Sequence, residues 1–572
     1  MTVYEYIFII LEVVAAVALV LIPVIRKKVS KDIILRALCV VSVFSAAYSI
    51  LTYGQIFIHS DTATAILLSE SIVRHHNFFP ATWNYANGEI WVLGNHLFSM
   101  LPSLLIGDKS LARVIGSLIC VICALICVVY QSKKMFKNNS WLLSVPLLTV
   151  FLFGENDMTL YQAAYTGLIL WLTLSNTLLY EVYRNIGNKQ CKKYLCIHGI
   201  LMILLTMGGS RILAELTIPT LCTYLIFIYL EIKSRNQRKI EQNDIKKIKY
   251  MVGAILIPSV IGIGIYVWLR TWHNMGDNIL NEIIFADSIA AMGDNIGTTL
   301  YNFFECFGYT GGAAIISTTG FRNVISLTMC TIICFIVPWL QARRIKEESE
   351  AVQLFCIFGL IHNLIMIIMS VCMGKLSVRY LLSSVFVFVI ISARYIYVYW
   401  IHQESVKQYV WTGLFVMATL IECVGLVKGS ISIGWADMLS QEKEFNQELM
   451  SRGLTKGYAT YWNAYSNEIY SDLQIRYGGV YITETDIKPR EWLVDNEVFE
   501  SEDTDTFLLL SAEENAMIGQ NLSNICGEPI ECFVMNQISI CGDEKNSFPV
   551  EERYVYVFDH DIVNDMEEGV SP

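Results

Sequence analysis

Asp61 suits a base, and equally an ordinary loop acid or a charge at a helix N-terminus. It stands where the apolar run 33–58 gives way to a polar segment, 59–109. It also opens a stretch, 61–75, in which Ala63, Ile66, Leu67 and Val73 recur at helical spacing. Ser60 has the side chain of an N-cap, which sets Asp61 in the first turn, where the helix dipole favours a carboxylate. Such a group can take the proton of an attacking hydroxyl. The matching need, a cation to steady a departing phosphate, falls on Arg379, Arg211 and Lys375, each at the end of an apolar run. Arginine grips phosphate through two parallel hydrogen bonds, and the same positions also suit side chains that merely snorkel to a membrane interface. Glu215 lies one turn from Arg211 and is read as its ion-pair partner. Glu155 and Asp157 suit an acceptor contact or an oxygen-liganded Mg or Mn ion, and equally a solvated turn. His75 and His76 are adjacent and so do not share a helical face as zinc ligands would; they are read as surface or headgroup contacts.

What must position these residues is a membrane-embedded body. Of 572 residues, 54% are hydrophobic and only 16% charged, with a mean hydropathy of +0.47. Soluble domains carry about 45–50% apolar and about 25% charged residues, so a cytosolic enzyme and a disordered scaffold are excluded. The net charge of −11 speaks against a nucleic-acid partner. Twelve runs read as membrane spans: 3–25, 33–58, 111–130, 140–153, 161–183, 194–207, 212–232, 250–269, 324–340, 351–373, 381–400 and 410–427. The fourth and sixth are short enough to be re-entrant. The first is too long for a signal-peptide core and is read as an uncleaved span.

Charge sets the orientation. Alternate connecting loops hold 24 Lys and Arg residues, and the opposite side of the membrane part holds nine. Basic residues collect on the cytoplasmic side, so even-numbered spans run outward and the chain beyond 428 lies outside a plasma membrane. Residues 1–428 carry +9, whereas 429–572 carry −20. A basic transmembrane body is thus joined to an acidic extracytoplasmic domain. Of 16 cysteines, only Cys306, Cys526, Cys532 and Cys541 fall outside, and a pairing among the last three stays open.

Three outer segments are more than connectors: 59–109, the acid group Glu155-Asn156-Asp157 and 271–320. In 59–109, the helical stretch 61–75 and a second one, 95–106, are read as helices on the membrane surface, flanking an aromatic turn with Phe79, Pro80, Trp83, Tyr85 and Gly88. Trp83 and Tyr85 suit sugar stacking or interfacial anchoring about equally. The third segment, 271–320, suits a lid over a donor site or a pair of structural helices.

The run from Asp61 through Phe79-Pro80, Trp83-Asn84-Tyr85 and Gly88 to Gly107 resembles the first external loop of GT-C glycosyltransferases, similar to bacterial members of the protein mannosyltransferase and aminoarabinose transferase group. Arg379-Tyr380-Leu381 is similar to an element near the end of such enzymes, although Ser383 stands where they carry proline; Gly208-Gly209-Ser210-Arg211 resembles another membrane-mouth element. The resemblance implies a polytopic α-helical enzyme that takes a sugar from a polyprenyl-phosphate carrier and hands it to a cell-envelope acceptor by inverting displacement. It implies Asp61 as base, and Arg379, Arg211 and Lys375 at the donor phosphate. Here the loop follows the second span rather than the first, which makes 3–25 an added helix.

The tail, 429–572, is expected to form a small α/β or mostly β domain. An acidic helix over 437–450 precedes strand-like runs at 473–481, 507–510, 532–540 and 554–558. Between them an aromatic, turn-rich stretch offers Tyr461 and Trp462, with Tyr380 and the histidines, as sugar or acceptor contacts, or else a packed turn. Two rivals remain at this level: a lipid-glycan flippase, which calls for a path of deep charges and inverted repeats where the sequence has few deep charges and no repeat, and an inactive anchor presenting the acidic tail.

Overall fold

The computed structural model describes residues 30–152, 157–234, 241–273, 285–314, 316–374, 377–402, 407–432, 434–538 and 549–566. The chain divides into two compact units. One comprises Met1–Tyr48, Cys120–Tyr266 and Ile283–Gly429; the other comprises Ser49–Ile119, Val267–Glu282 and Ser430–Pro572.

Among the described residues, eight helices are long and apolar enough to cross a membrane. They are Lys31–Ile56, Lys109–Phe136, Leu213–Ser234, Gln242–Arg270, Thr319–Arg343, Glu350–Cys372, Val378–Ile401 and Lys407–Gly429. Each coincides with an expected span, but the count of twelve is not reached. The run 3–25 lies outside the described residues. Trp141–Phe151 is helical but short. Ala164–Arg184 buries Thr166, Thr173, Ser175, Asn176 and Thr177, and Lys189–Thr206 begins with three lysines in five residues, so both are too polar to count as spans by composition.

The first unit is helical, and its axis is the stretch Leu382–Tyr395, in which all residues but Phe388 are buried. Such all-round burial marks a helix enclosed by other helices. Gly359 lets a neighbouring helix come close: a Cβ there would sit 2.6 Å from Ile391 and 2.9 Å from Val387.

The second unit contains a six-stranded mixed sheet. Its strands are β2 (Lys456–Thr460), β3 (Arg476–Ile482), β4 (Ile487–Pro489), β6 (Thr506–Ser511), β7 (Glu531–Ile538) and β8 (Val550–Phe558). The order is β4-β3-β2-β6-β8-β7, with β2 parallel to both β3 and β6 and the other pairs antiparallel. β6 reads as a continuous apolar run because it is buried on both faces. The helix Tyr461–Tyr470 makes the crossover from β2 to β3, as a parallel pair requires. Ser511 and Glu514 form a capping box that starts the helix Ala512–Ile518 directly after β6. Tyr458, Val480, Leu508, Leu510 and Phe558 form the core beneath.

A second, two-stranded pairing joins β1 (Trp83–Asn84) to β5 (Val494–Asp495), with Trp83 opposite Asp495. It ties the aromatic turn after the Ser60–His75 helix to the sheet-bearing segment. The expected tail strands are present within a few residues, as is the acidic helix, here Trp435–Ser451. The stretch expected as an aromatic turn is instead β2 and its crossover helix.

Candidate active site

Asp61 lies in the first turn of the helix Ser60–His75, where the sequence places it. The N-cap is one residue earlier than expected. His59 is extended, with φ −89° and ψ 174°, and gives no side-chain cap. Ser60 is the first helical residue, and its hydroxyl donates to the Tyr461 carbonyl instead. The helix is also not a surface helix with one apolar face, because eleven of its sixteen residues are buried, spread over all sides. The second helix, His96–Leu105, does expose Leu101, Leu104 and Leu105.

Tyr461, the first residue after β2, donates from its hydroxyl to Asp61 Oδ1 at 2.6 Å. Burial, and then the adjacent carboxylate, push the Tyr461 phenol well above its usual range. It therefore stays protonated and remains a donor. The Arg490 guanidinium lies 4.6 Å from the Tyr461 ring centre, 4.8 Å from that of Tyr481 and 5.1 Å from that of Trp492. Trp462, 46% exposed, meets the Tyr461 ring edge-on at 5.1 Å and lies 5.9 Å from the His59 ring. A carboxylate, a fixed phenol, a ring-held cation and an open indole face thus adjoin one another.

The other expected contacts are placed differently. Trp83 and Tyr85 are 1% and 0% exposed, so neither ring offers a face to an incoming sugar; both were drawn inward by the β1–β5 pairing and the packing around it. His76 ends the Ser60–His75 helix in the left-handed region at φ 49° and is exposed. His75 faces Asp495 and Glu497, each at 3.4 Å. These three could gather round a cation, but Arg74 already bridges both carboxylates at 3.2 Å. Burial opposes ionisation of Asp495, yet bonds from Ser71 and Thr82 and the Arg74 charge hold its carboxyl below the usual range. The cluster is complete as an ion-pair network.

Beside it lies a cavity of about 240 Å³ lined by Leu67, Glu70, Arg74, Trp83, Glu468 and Arg476, among others. Burial pushes the Glu468 carboxyl up to about 7, against the Tyr477 amide that donates to it.

In the first unit, Arg211 donates to Glu215 Oε1 at 2.7 Å, and its guanidinium lies 4.8 Å from the Tyr165 ring centre. The expected pair is present, with Glu215 buried. Arg379 is exposed on the turn Val378–Leu381, stacked on Tyr380 at 5.4 Å. Glu155, Lys375 and the side chain of Asp157 lie outside the described residues, as does Cys541; Cys526 and Cys532 are free thiols.

Sequence reasoning missed Arg490. Its neighbours in space come from positions 461, 481 and 492, so no local motif announces it.

No protein-family profile matches the chain, and neither does any curated protein sequence. A solved structure does: ArnT from Cupriavidus metallidurans bound to undecaprenyl phosphate, with a TM-score of 0.53 at 8% identity, covering 93% of this chain and 99% of that one. The chain shares the fold of that ArnT structure. At 8% identity the GT-C likeness is one of architecture, and the side chains of Asp61, Tyr461 and Arg490 must speak for themselves. In this chain the acid in the first turn of the Ser60–His75 helix is held by the first residue of the helix after β2, 400 positions later.

Proposed function

We propose that the protein is a membrane glycosyltransferase that moves a sugar from a polyprenyl-phosphate donor to a cell-envelope acceptor outside the plasma membrane. The fold supports the class, since the similar ArnT structure holds undecaprenyl phosphate. The observation that carries the reading is the Asp61 carboxylate, set in a first helical turn and fixed by Tyr461. In the reaction, Asp61 takes the proton from an acceptor hydroxyl as its oxygen attacks the anomeric carbon. The bond from that carbon to the phosphate oxygen breaks, its electron pair leaves with the polyprenyl phosphate, and the sugar inverts. Arg211, oriented by Glu215 and Tyr165, and Arg379 are the cations assigned to the departing phosphate. Glu155 and Asp157 are assigned to the acceptor or to a divalent cation, and Lys375 to the donor phosphate.

The test is transfer by the purified full chain from an undecaprenyl-phosphate sugar to envelope glycan. Asp61→Asn is expected to lower the rate by about 100-fold or more. An unchanged rate removes Asp61 as the base.

A further inference from the structure

The segment 429–572 carries 28 acids and only eight bases. In such surroundings a base normally finds a carboxylate, and nearly all do. Lys443, Arg452, Lys456, Arg476, Lys488 and Arg553 each lie within 3.3 Å of an Asp or Glu oxygen. Lys545 lies outside the described residues. Arg490 differs. Its side chain makes no ion pair or hydrogen bond with any described residue, and its Nε is buried without a partner. Only its backbone is tied, through a 2.8 Å bond from its amide to the Gly479 carbonyl.

Three rings hold it in place of a carboxylate. Tyr461, Tyr481 and Trp492 surround the guanidinium at 4.6, 4.8 and 5.1 Å. Aromatic faces stabilise a cation without cancelling its charge or occupying its N–H fork. A buried donor without a partner is costly, and an incoming oxyanion would satisfy it. One of the three rings is the phenol that holds Asp61. Next to that phenol, Trp462 presents an indole that is 46% exposed, the surface on which a sugar ring stacks.

We propose that Arg490 binds an oxyanion on the acceptor, and hence that the acceptor is an acidic saccharide bearing a phosphate or a carboxylate. This rests on the glycosyltransferase reading and narrows it. The acceptor must present its hydroxyl to Asp61, and Arg490 is one aromatic ring away from that carboxylate. The donor phosphate already has its assigned cations in Arg211 and Arg379. The guanidinium fork accepts both oxyanion types through paired hydrogen bonds.

The test uses the full chain in lipid nanodiscs, reading tryptophan fluorescence as glucose, glucose 6-phosphate, methyl glucuronide or undecaprenyl phosphate is added. The acidic sugars are expected to bind at least about tenfold more tightly than glucose, a gap set by one charge-assisted contact. In Arg490→Met that preference disappears, in Arg490→Lys part of it remains, and undecaprenyl phosphate binds as in the unaltered chain. Because the preference is measured on the unaltered chain first, it stands even if a variant fails to fold. Equal affinity for glucose and the acidic sugars overturns the proposal. So does loss of undecaprenyl phosphate binding in Arg490→Met with the acidic-sugar preference intact, which assigns the cation to the donor. If the unaltered chain binds no undecaprenyl phosphate yet prefers acidic sugars, the transferase reading fails while the anion site stands. Glucose 6-phosphate favoured over methyl glucuronide points to a phosphate-bearing acceptor, and the reverse to a uronate; either supports the proposal.

Discussion

The Tyr461 hydroxyl donates a 2.6 Å hydrogen bond to Asp61, across 400 positions of sequence. The proposed base is therefore oriented by a residue of the sheet-bearing segment. Tyr461→Phe is expected to lower kcat by about 10–100-fold, the worth of a hydrogen bond to a charged group. The melting temperature should change little, because the ring stays packed. Steady-state kinetics with a polyprenyl-phosphate sugar reads the effect, and an unchanged kcat leaves Tyr461 a packing residue only.

Arg211 supplies a second test. Its Nε is committed to Glu215, and its guanidinium stacks on Tyr165. Arg211→Gln is expected to raise the KM for the lipid donor by about 10–100-fold. Arg211→Lys recovers only part of this, since lysine brings the charge without the planar fork. Glu215→Gln should give a smaller rise, because the cation remains but loses its alignment.

Asp561 makes a structural prediction. It is fully buried, lies 2.7 Å from the buried Lys456 Nζ, and accepts the Tyr458 hydroxyl at 2.6 Å. Burial opposes its ionisation, but bonds from Lys456 and Tyr458 hold the carboxyl below the usual range. Asp561→Ala strands the ammonium group in the interior and is expected to cost about 3–5 kcal/mol. Thermal unfolding followed by the sheet signal measures it. A cost under about 1 kcal/mol means that water reaches Lys456.

Stability should also respond to pH. Burial lifts the Glu442 carboxyl to about 7, although Gln537 and the Ile538 amide donate to it, and Glu468 is lifted similarly. A carboxyl whose folded-state pKa is raised binds more protons folded than unfolded between its unfolded value, about 4.3, and about 7. Stability then falls as pH rises through that window. His560, raised by hydrogen bonds to Asp559 and Asp565, works in the same direction. The melting temperature should therefore be higher at pH 5.5 than at pH 8. In the double variant Glu442→Gln, Glu468→Gln most of that difference should vanish. A flat profile in the unaltered chain shows that both carboxyls are hydrated.

The sequence disclosed what depends on composition and local period. Eight spans, the acidic helix and four strands emerged from apolar runs, and Asp61 from its place after such a run. What it concealed depends on residues far apart in the chain. β2 looked like a turn because Lys456 and Gly457 begin it. Lys456 is nevertheless buried against Asp561, and Gly457 is required where a Cβ would stand 2.3 Å from the Phe507 ring. The Ser60–His75 helix looked one-sided because its serines and threonines counted as polar, yet Ser60, Thr62, Thr64, Ser69 and Ser71 are buried. Ser69 donates back to the Ala65 carbonyl and Ser71 to Asp495. Arg490 shows no sign in its own neighbourhood, because two of the three rings that hold it are contributed by β3 and by the helix after β2.

The strand order has a consequence for where a ligand belongs. From β2 the chain crosses to β3 on one side, and from β6, its parallel neighbour on the other side, it moves away toward β8 and β7. The carboxyl ends of β2 and β6 therefore flank a topological switch point, the crevice in which α/β sheets hold their small molecules. Tyr461 is the first residue beyond β2, and what it receives is the start of the helix bearing Asp61. The sheet thus treats a segment of its own chain as a soluble α/β domain treats a ligand, and the proposed base is the group presented there.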